Sequence, residues 1–160
     1  MIQPYASAIA DFEETFQGLG FRCIDEGPYK TVFSDGQQRI EISTERYNHP
    51  SSMMTTLIDQ TGKARSFAII QEMLDPNAFE GFKRALSAIE DKHNFQKTPV
   101  AELLRNGAAY EYAHVVVGQL VAFIHDHRAQ IQELPTTYAQ QYDGIENAWL
   151  ARHGIQQNLR

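Results

Sequence analysis

Beyond its first twenty residues the apolar period of this chain changes once, near residue 64, and that change limits the folds open to it. Before it, short segments alternate apolar and polar residues, the period-2 pattern of half-buried strands. After it, apolar residues recur at spacings of three and four, which gathers them on one face of a helix. The segments "FRCIDE", "YKTVFS" and "QRIEISTE" are set apart by Gly27-Pro28 and Asp35-Gly36, and "MMTTLIDQ" is closed by Thr61-Gly62. Ile40 and Ile42 alternate with Arg39, Glu41 and Ser43, so one sheet face is buried and the other wet. Ser34-Asp35-Gly36-Gln37 is the strongest hairpin signal, because glycine accepts the positive φ of a tight turn. The expected product is a small antiparallel β-meander of about four strands, with a loop over 46–52 before the fourth.

One helix precedes the strands. Tyr5, Ile9, Phe12 and Phe16 share a face, Pro4 suits the first turn, and Gly18 and Gly20 stop it. Downstream, "RSFAIIQEMLD" reads as a short helix, since Phe67, Ile70 and Leu74 fit its spacing, with a fifth strand as the other reading. Asp75 and Pro76 form an N-cap and first position, and Phe79, Phe82, Leu86 and Ile89 then face inward. Thr98-Pro99 starts a third helix that meets no breaker but Gly107 and Gly118 before Pro135. Unbroken, it would run roughly 35 residues and about 50 Å at ~1.5 Å per residue, so a break or kink near Asn106-Gly107 is expected. Residues 112–124 are apolar on most sides and mark the central buried helix. A last helix over 137–152, capped by Thr136 or Thr137, turns Tyr138, Tyr142, Ile145 and Trp149 inward, and 155–160 read as a frayed tail. The chain is thus a single α+β domain over 1–160: helix plus β-meander over 1–64, then a C-terminal helical bundle over 65–160 packed on one sheet face.

The net charge of −6 works against a broad nucleic-acid or anionic-membrane surface, because phosphate binding needs clustered Lys and Arg. The start "MIQPYASAIADFEETF" lacks a basic leader, and the longest apolar run, "HVVVGQLVAFI", falls short of the roughly 18 residues of a membrane span. Cys23 is the lone cysteine, which suits a reducing, cytoplasmic setting. It lies in an alternating segment and is expected to be a small buried core residue.

The stretch "VAFIHDHRAQ" holds His125-Asp126-His127, the strongest hint of chemistry. Metal ligands on one helix want spacing of three or four. Two residues apart, these histidines diverge by roughly 200° at ~3.6 residues per turn, so neither has a ligand partner on its own helix. His and Arg near a helix C-terminus complement its dipole, which accounts for His125, His127 and Arg128 without chemistry and leaves Asp126 in water. A site assembled from separate helices is the alternative. His93, His125, Asp126 and Asp143 occur in the order used by HD-type metal phosphohydrolases, which this pattern resembles. It departs from that family in its strand-rich first half, and in having His127-Arg128 where a Gly-Lys often follows the His-Asp pair. No phosphate-binding glycine loop and no nucleophile elbow occurs, so no cofactor or metal is called for. The adjacent carboxylates Glu13-Glu14 and Asp25-Glu26 diverge in a helix or strand and read as solvated faces. Tyr110, Tyr112, Tyr138, Tyr142 and Trp149 read as packing or as interface anchors, the latter allowing a homodimer.

The order of a helix "ADFEETF", the segment "LGFRCIDEGPYKTVFSDGQQRIEIS", a further strand and "FAIIQEML" resembles small bacterial immunity proteins of polymorphic and contact-dependent toxin systems, over roughly residues 10–75. The resemblance implies a non-enzymatic protein whose partner is a bacterial effector toxin. It carries over no catalytic residue. An acidic inhibitor gains association rate toward a basic toxin, and the residues expected to meet it are Asp25, Glu26, Glu41 and Glu45, with Asp35 at the hairpin tip.

Overall fold

A computed structural model of the chain describes residues 3–45 and 49–154. The N-terminal segment is two helices where one was expected. α1 (Gln3–Ala10) and α2 (Glu13–Gly18) meet at a turn in which Phe12 leaves helical geometry at φ −109°, ψ 6°. The turn lets the two pieces serve different neighbours. Tyr5 and Ala8 of α1 cluster with Ala113, while Phe16 of α2 stacks on Phe33 at 4.1 Å. Phe12 itself fills the notch above Gly118, where a Cβ would stand 3.1 Å from its ring.

The sheet runs in the order β1 (Arg22–Glu26), β2 (Lys30–Ser34), β3 (Arg39–Ser43), β4 (Met54–Ile58), β5 (Ala64–Ser66), every neighbour antiparallel. It has five strands rather than about four, because three residues of β5 pair with β4 before the chain turns into α3 (Phe67–Leu74). The β2–β3 hairpin is built as the turn chemistry requires. Gly36 sits at φ +93°, and the Asp35 carboxylate accepts from Gln37 N at 2.8 Å and Gln38 N at 2.7 Å. Register places Phe33, Ile40 and Leu57 in one row on the core face, and Asp25, Val32, Glu41 and Thr56 in a row on the other.

Cys23 is exposed, contrary to the expectation of a core residue. β1 is the outer strand, with none of the described strands beyond it, and its pairing shifts between Cys23 and Asp25. That leaves Ile24 as the extra residue of a bulge, 58% exposed. Bulges of this kind bend and blunt an outer strand.

α4 (Pro76–Lys92) starts as expected, with the Asp75 carboxylate accepting from Ala78 N at 3.1 Å. Of its expected inward face, Ile89 is buried while Phe79, Phe82 and Leu86 are half-buried. The long helix does break where the sequence placed the break. α5 (Val100–Arg105) ends before Gly107, which sits at φ +82°, and α6 (Ala108–Gln132) begins with Asn106 Oδ1 accepting from Ala108 N at 2.9 Å. Thr98 is not the cap of α5; its hydroxyl donates to the His93 carbonyl at 2.9 Å, and Pro99 holds the cap position. α6 is the central helix, and Val117, Leu120, Val121 and Ile124 join the sheet's Phe33, Ile40 and Leu57 in the main core. α7 (Ala139–Arg152) begins after Tyr138 without a side-chain cap, so neither Thr136 nor Thr137 serves. Tyr142 is buried, but Trp149 is 39% exposed rather than inward, its ring tilted against that of His153 just past the helix end at 4.2 Å. The expected frayed tail and residues 46–48 of the loop lie outside the described residues.

The result is an α+β fold with helices gathered on the sheet, as the change of period implied. Among the described residues no helix is long and apolar enough to cross a membrane.

Candidate functional site

Four places among the described residues are candidates for function. The first is the end of α6. His125 is exposed and its Nδ1 lies 3.0 Å from the carboxylate of its exposed neighbour Asp126. His127 leaves helical geometry at φ −120°, ψ 22°. Its ring packs on Phe123 at 4.5 Å, with Nδ1 2.7 Å from Gln130 Oε1 and Nε2 3.6 Å from Asp75 Oδ2. Arg128 donates to the Asp35 carboxylate and lies over the Phe21 ring at 4.3 Å. The dipole reading of this stretch is therefore corrected. The last turn of α6 carries no basic residue, and His127 and Arg128 are spent on tertiary partners. Asp126 does face water.

The residues of the phosphohydrolase pattern part company. His93 Nε2 lies 2.9 Å from Glu111 Oε2, which with Lys92 holds that carboxyl below its usual range. Asp143 Oδ1 takes Lys63 Nζ at 2.7 Å. Among the described residues, the His125 and Asp126 side chains pair only with each other. Among the described residues no three His, Cys, Asp or Glu side chains gather as a metal would need.

The second place is a buried ion pair absent from the sequence reading. Asp59 Oδ2 accepts from Arg65 Nε at 2.8 Å, both side chains buried, while Oδ1 accepts from Thr61 N at 2.8 Å and Lys63 N at 3.1 Å. Burial alone would raise the Asp59 pKa, but Thr61, Arg65 and the turn amides outweigh it and hold it low. Arg65 also lies over the Tyr142 ring at 4.9 Å, and the Tyr142 hydroxyl accepts from Ser66 N at 2.7 Å. The cluster ties the β4–β5 turn to α7. The signal for it was Asp59 beside Thr61-Gly62, an Asx-type turn, but nothing local named Arg65 as the partner.

The third place is the β1 edge. Asp25 and Glu26 are exposed there, and Glu13 of α2 lines the same shallow depression as Cys23 and Glu26. Burial, then the charges of Glu26, Glu13 and Asp25, push the Cys23 thiol up, against its hydrogen bond to the Asp25 carbonyl. The remaining residues expected to meet a partner are dispersed. Glu41 lies 4.0 Å from Lys30 on the outer sheet face, and Glu45 is exposed beyond β3. Asp35 is not a wet hairpin tip: its side chain is 10% exposed and bound by Arg128. Burial would raise its pKa, yet the Gln38 and Gln37 amides and the Arg128 guanidinium hold it below the usual carboxylate range.

The fourth place is a cavity of about 270 Å³ between β4, β5, α3, α4 and α6, lined by Thr56, Gln71, Phe82, Leu86, Tyr112 and Val116 among others. The sequence pattern does not single out Gln71 as a candidate. Its one sequence signal is a carboxamide set in the apolar run of "FAIIQEML".

Compared with protein-family models, with curated proteins and with solved structures, the chain gives no match in any of the three.

Proposed function

We propose that this chain is a non-enzymatic, immunity-type protein of the bacterial cytoplasm that binds and neutralises a cognate toxin through a basic surface of that toxin. The observation that carries the reading is the β1 edge. Glu13, Asp25 and Glu26 frame an outer strand on which Ile24 stands exposed, and among the described residues none of the three carboxylates enters an ion pair. Unpaired surface carboxylates steer a cationic partner, and an apolar residue at their centre supplies contact area once water is displaced. The test is co-expression with the toxin encoded beside this gene. Growth should be rescued and a stable complex isolated. Triple reversal, Glu13→Lys with Asp25→Lys and Glu26→Lys, should slow association about tenfold or more at low salt. A neighbouring toxin that forms no complex, or a triple variant that protects as well as the parent, would end the proposal.

Self-association through α7 is a second reading, favoured by one observation. Trp149 is exposed on a groove it shares with Ala68, Ile69 and Phe79. Sedimentation would then show a dimer that Trp149→Ala dissociates, whereas a monomer at all concentrations excludes it.

A further inference from the structure

Two features mark the cavity between the sheet and α3, α4 and α6. None of the side chains lining it is charged. It also presents a polar side chain that no other protein group among the described residues engages. Gln71 is 6% exposed and lines the cavity, yet among the described residues its carboxamide makes no hydrogen bond. Its backbone carbonyl is occupied normally, accepting from Asp75 N at 2.9 Å. With no protein partner among the described residues, the carboxamide's donor and acceptor are free to bond a molecule that enters the opening.

We infer that this cavity is a binding site for a small neutral molecule, about two fused rings in size, that pairs an adjacent N–H and C=O with the Gln71 carboxamide. Size follows from volume: a cavity of roughly 150 Å³ holds benzene, and about 270 Å³ admits a second ring. Neutrality follows from the lining, since an ion would lose its hydration with no opposite charge to meet. The lactam or amide character follows from Gln71, whose donor and acceptor lie side by side and are matched by a group presenting the reverse pair. Phe82, Leu86, Tyr112 and Val116 supply the apolar walls, and Thr56 lies on the sheet side. Met54, 58% exposed, lines the cavity too, so it opens to solvent. This site is independent of the β1 edge and of the toxin-binding proposal.

The test uses the full chain and 2-quinolinone, a bicyclic lactam, followed by calorimetry and NMR. Saturable one-site binding is expected, with nuclear Overhauser contacts from the ring protons to the Gln71 side-chain amide. Gln71→Leu conserves volume and should weaken 2-quinolinone roughly fivefold or more, while naphthalene binds both proteins equally. Quinoline-2-carboxylate should bind at least tenfold more weakly than the lactam. The inference is overturned by no saturable binding to the folded parent, by equal lactam affinity in Gln71→Leu, by naphthalene losing as much as the lactam, or by the carboxylate binding as well. If Gln71→Leu does not fold, the Overhauser contacts in the parent decide alone: contacts to the Gln71 amide support the site, and their absence at saturation removes it.

Discussion

Arg128 Nη2 donates to Oδ2 of Asp35, a residue ninety-three positions earlier in the chain. The contact pins the end of α6 to the β2–β3 hairpin, and Phe21 packs beneath the guanidinium at 4.3 Å. One carboxylate therefore does two jobs: Oδ1 shapes the hairpin and Oδ2 holds a helix to it.

Asp35→Asn should cost roughly 2 kcal/mol at neutral pH, the scale of a charge-assisted hydrogen bond. The folded-state pKa of Asp35 is lowered. Its contribution is then fully present above the unfolded value near ~3.9 and is lost as pH falls through the folded value. Urea denaturation at neutral pH and at decreasing acidic pH should show the gap between parent and variant shrinking as pH falls. A gap that stays constant would show that Asp35 acts only through turn geometry.

Asp59→Ala should be among the most damaging single changes, at roughly 3–5 kcal/mol, because it strands Arg65 as a buried, half-satisfied charge. Arg65→Met should cost less. The turn amides of Thr61 and Lys63 still satisfy Asp59 when the guanidinium is gone. Chemical denaturation of the two variants checks the order.

The two histidines of "VAFIHDHRAQ" should behave differently. His125→Ala removes an exposed ring and should change stability by less than about 0.5 kcal/mol. His127→Ala removes contacts to Phe123, Gln130 and Asp75 and should cost roughly 1–2 kcal/mol. Metal analysis of the parent and of His125→Ala should agree. Stoichiometric transition metal that His125→Ala loses would instead restore the phosphohydrolase reading.

Cys23 should react with a disulfide reagent in the folded protein, one equivalent per chain, since it is the single cysteine and is exposed. Its pKa is raised, so the thiolate is scarce at neutral pH and the rate should climb beyond the ordinary thiol pKa near ~8.5. Neutralising Glu26→Gln and Glu13→Gln should speed labelling at neutral pH. A thiol silent until denaturant is added would mean that the β1 edge is covered in solution.

Much of the local architecture was legible residue by residue. Alternation in "QRIEISTE", the Asp35-Gly36 turn, the Asp75-Pro76 cap and the break at Asn106-Gly107 were all read from neighbours within four positions, and all are present. These features depend on backbone dihedrals and short-range hydrogen bonds, which adjacent residues control. The failures share another character. Cys23 alternates like a buried strand residue, but its burial depends on whether another strand lies beyond β1, and none of the described strands does. Asp35 reads as a wet hairpin tip until Arg128 reaches it, and Asp59 as a turn residue until Arg65 is seen beside it. The unpaired carboxamide of Gln71 has meaning only inside the cavity that four other elements enclose. The sequence by itself determined the α+β order of elements and the turns between them. Only the tertiary structure decided which edges stay open and which charges are matched, because burial and pairing are set by segments far apart in the chain that local periodicity does not connect.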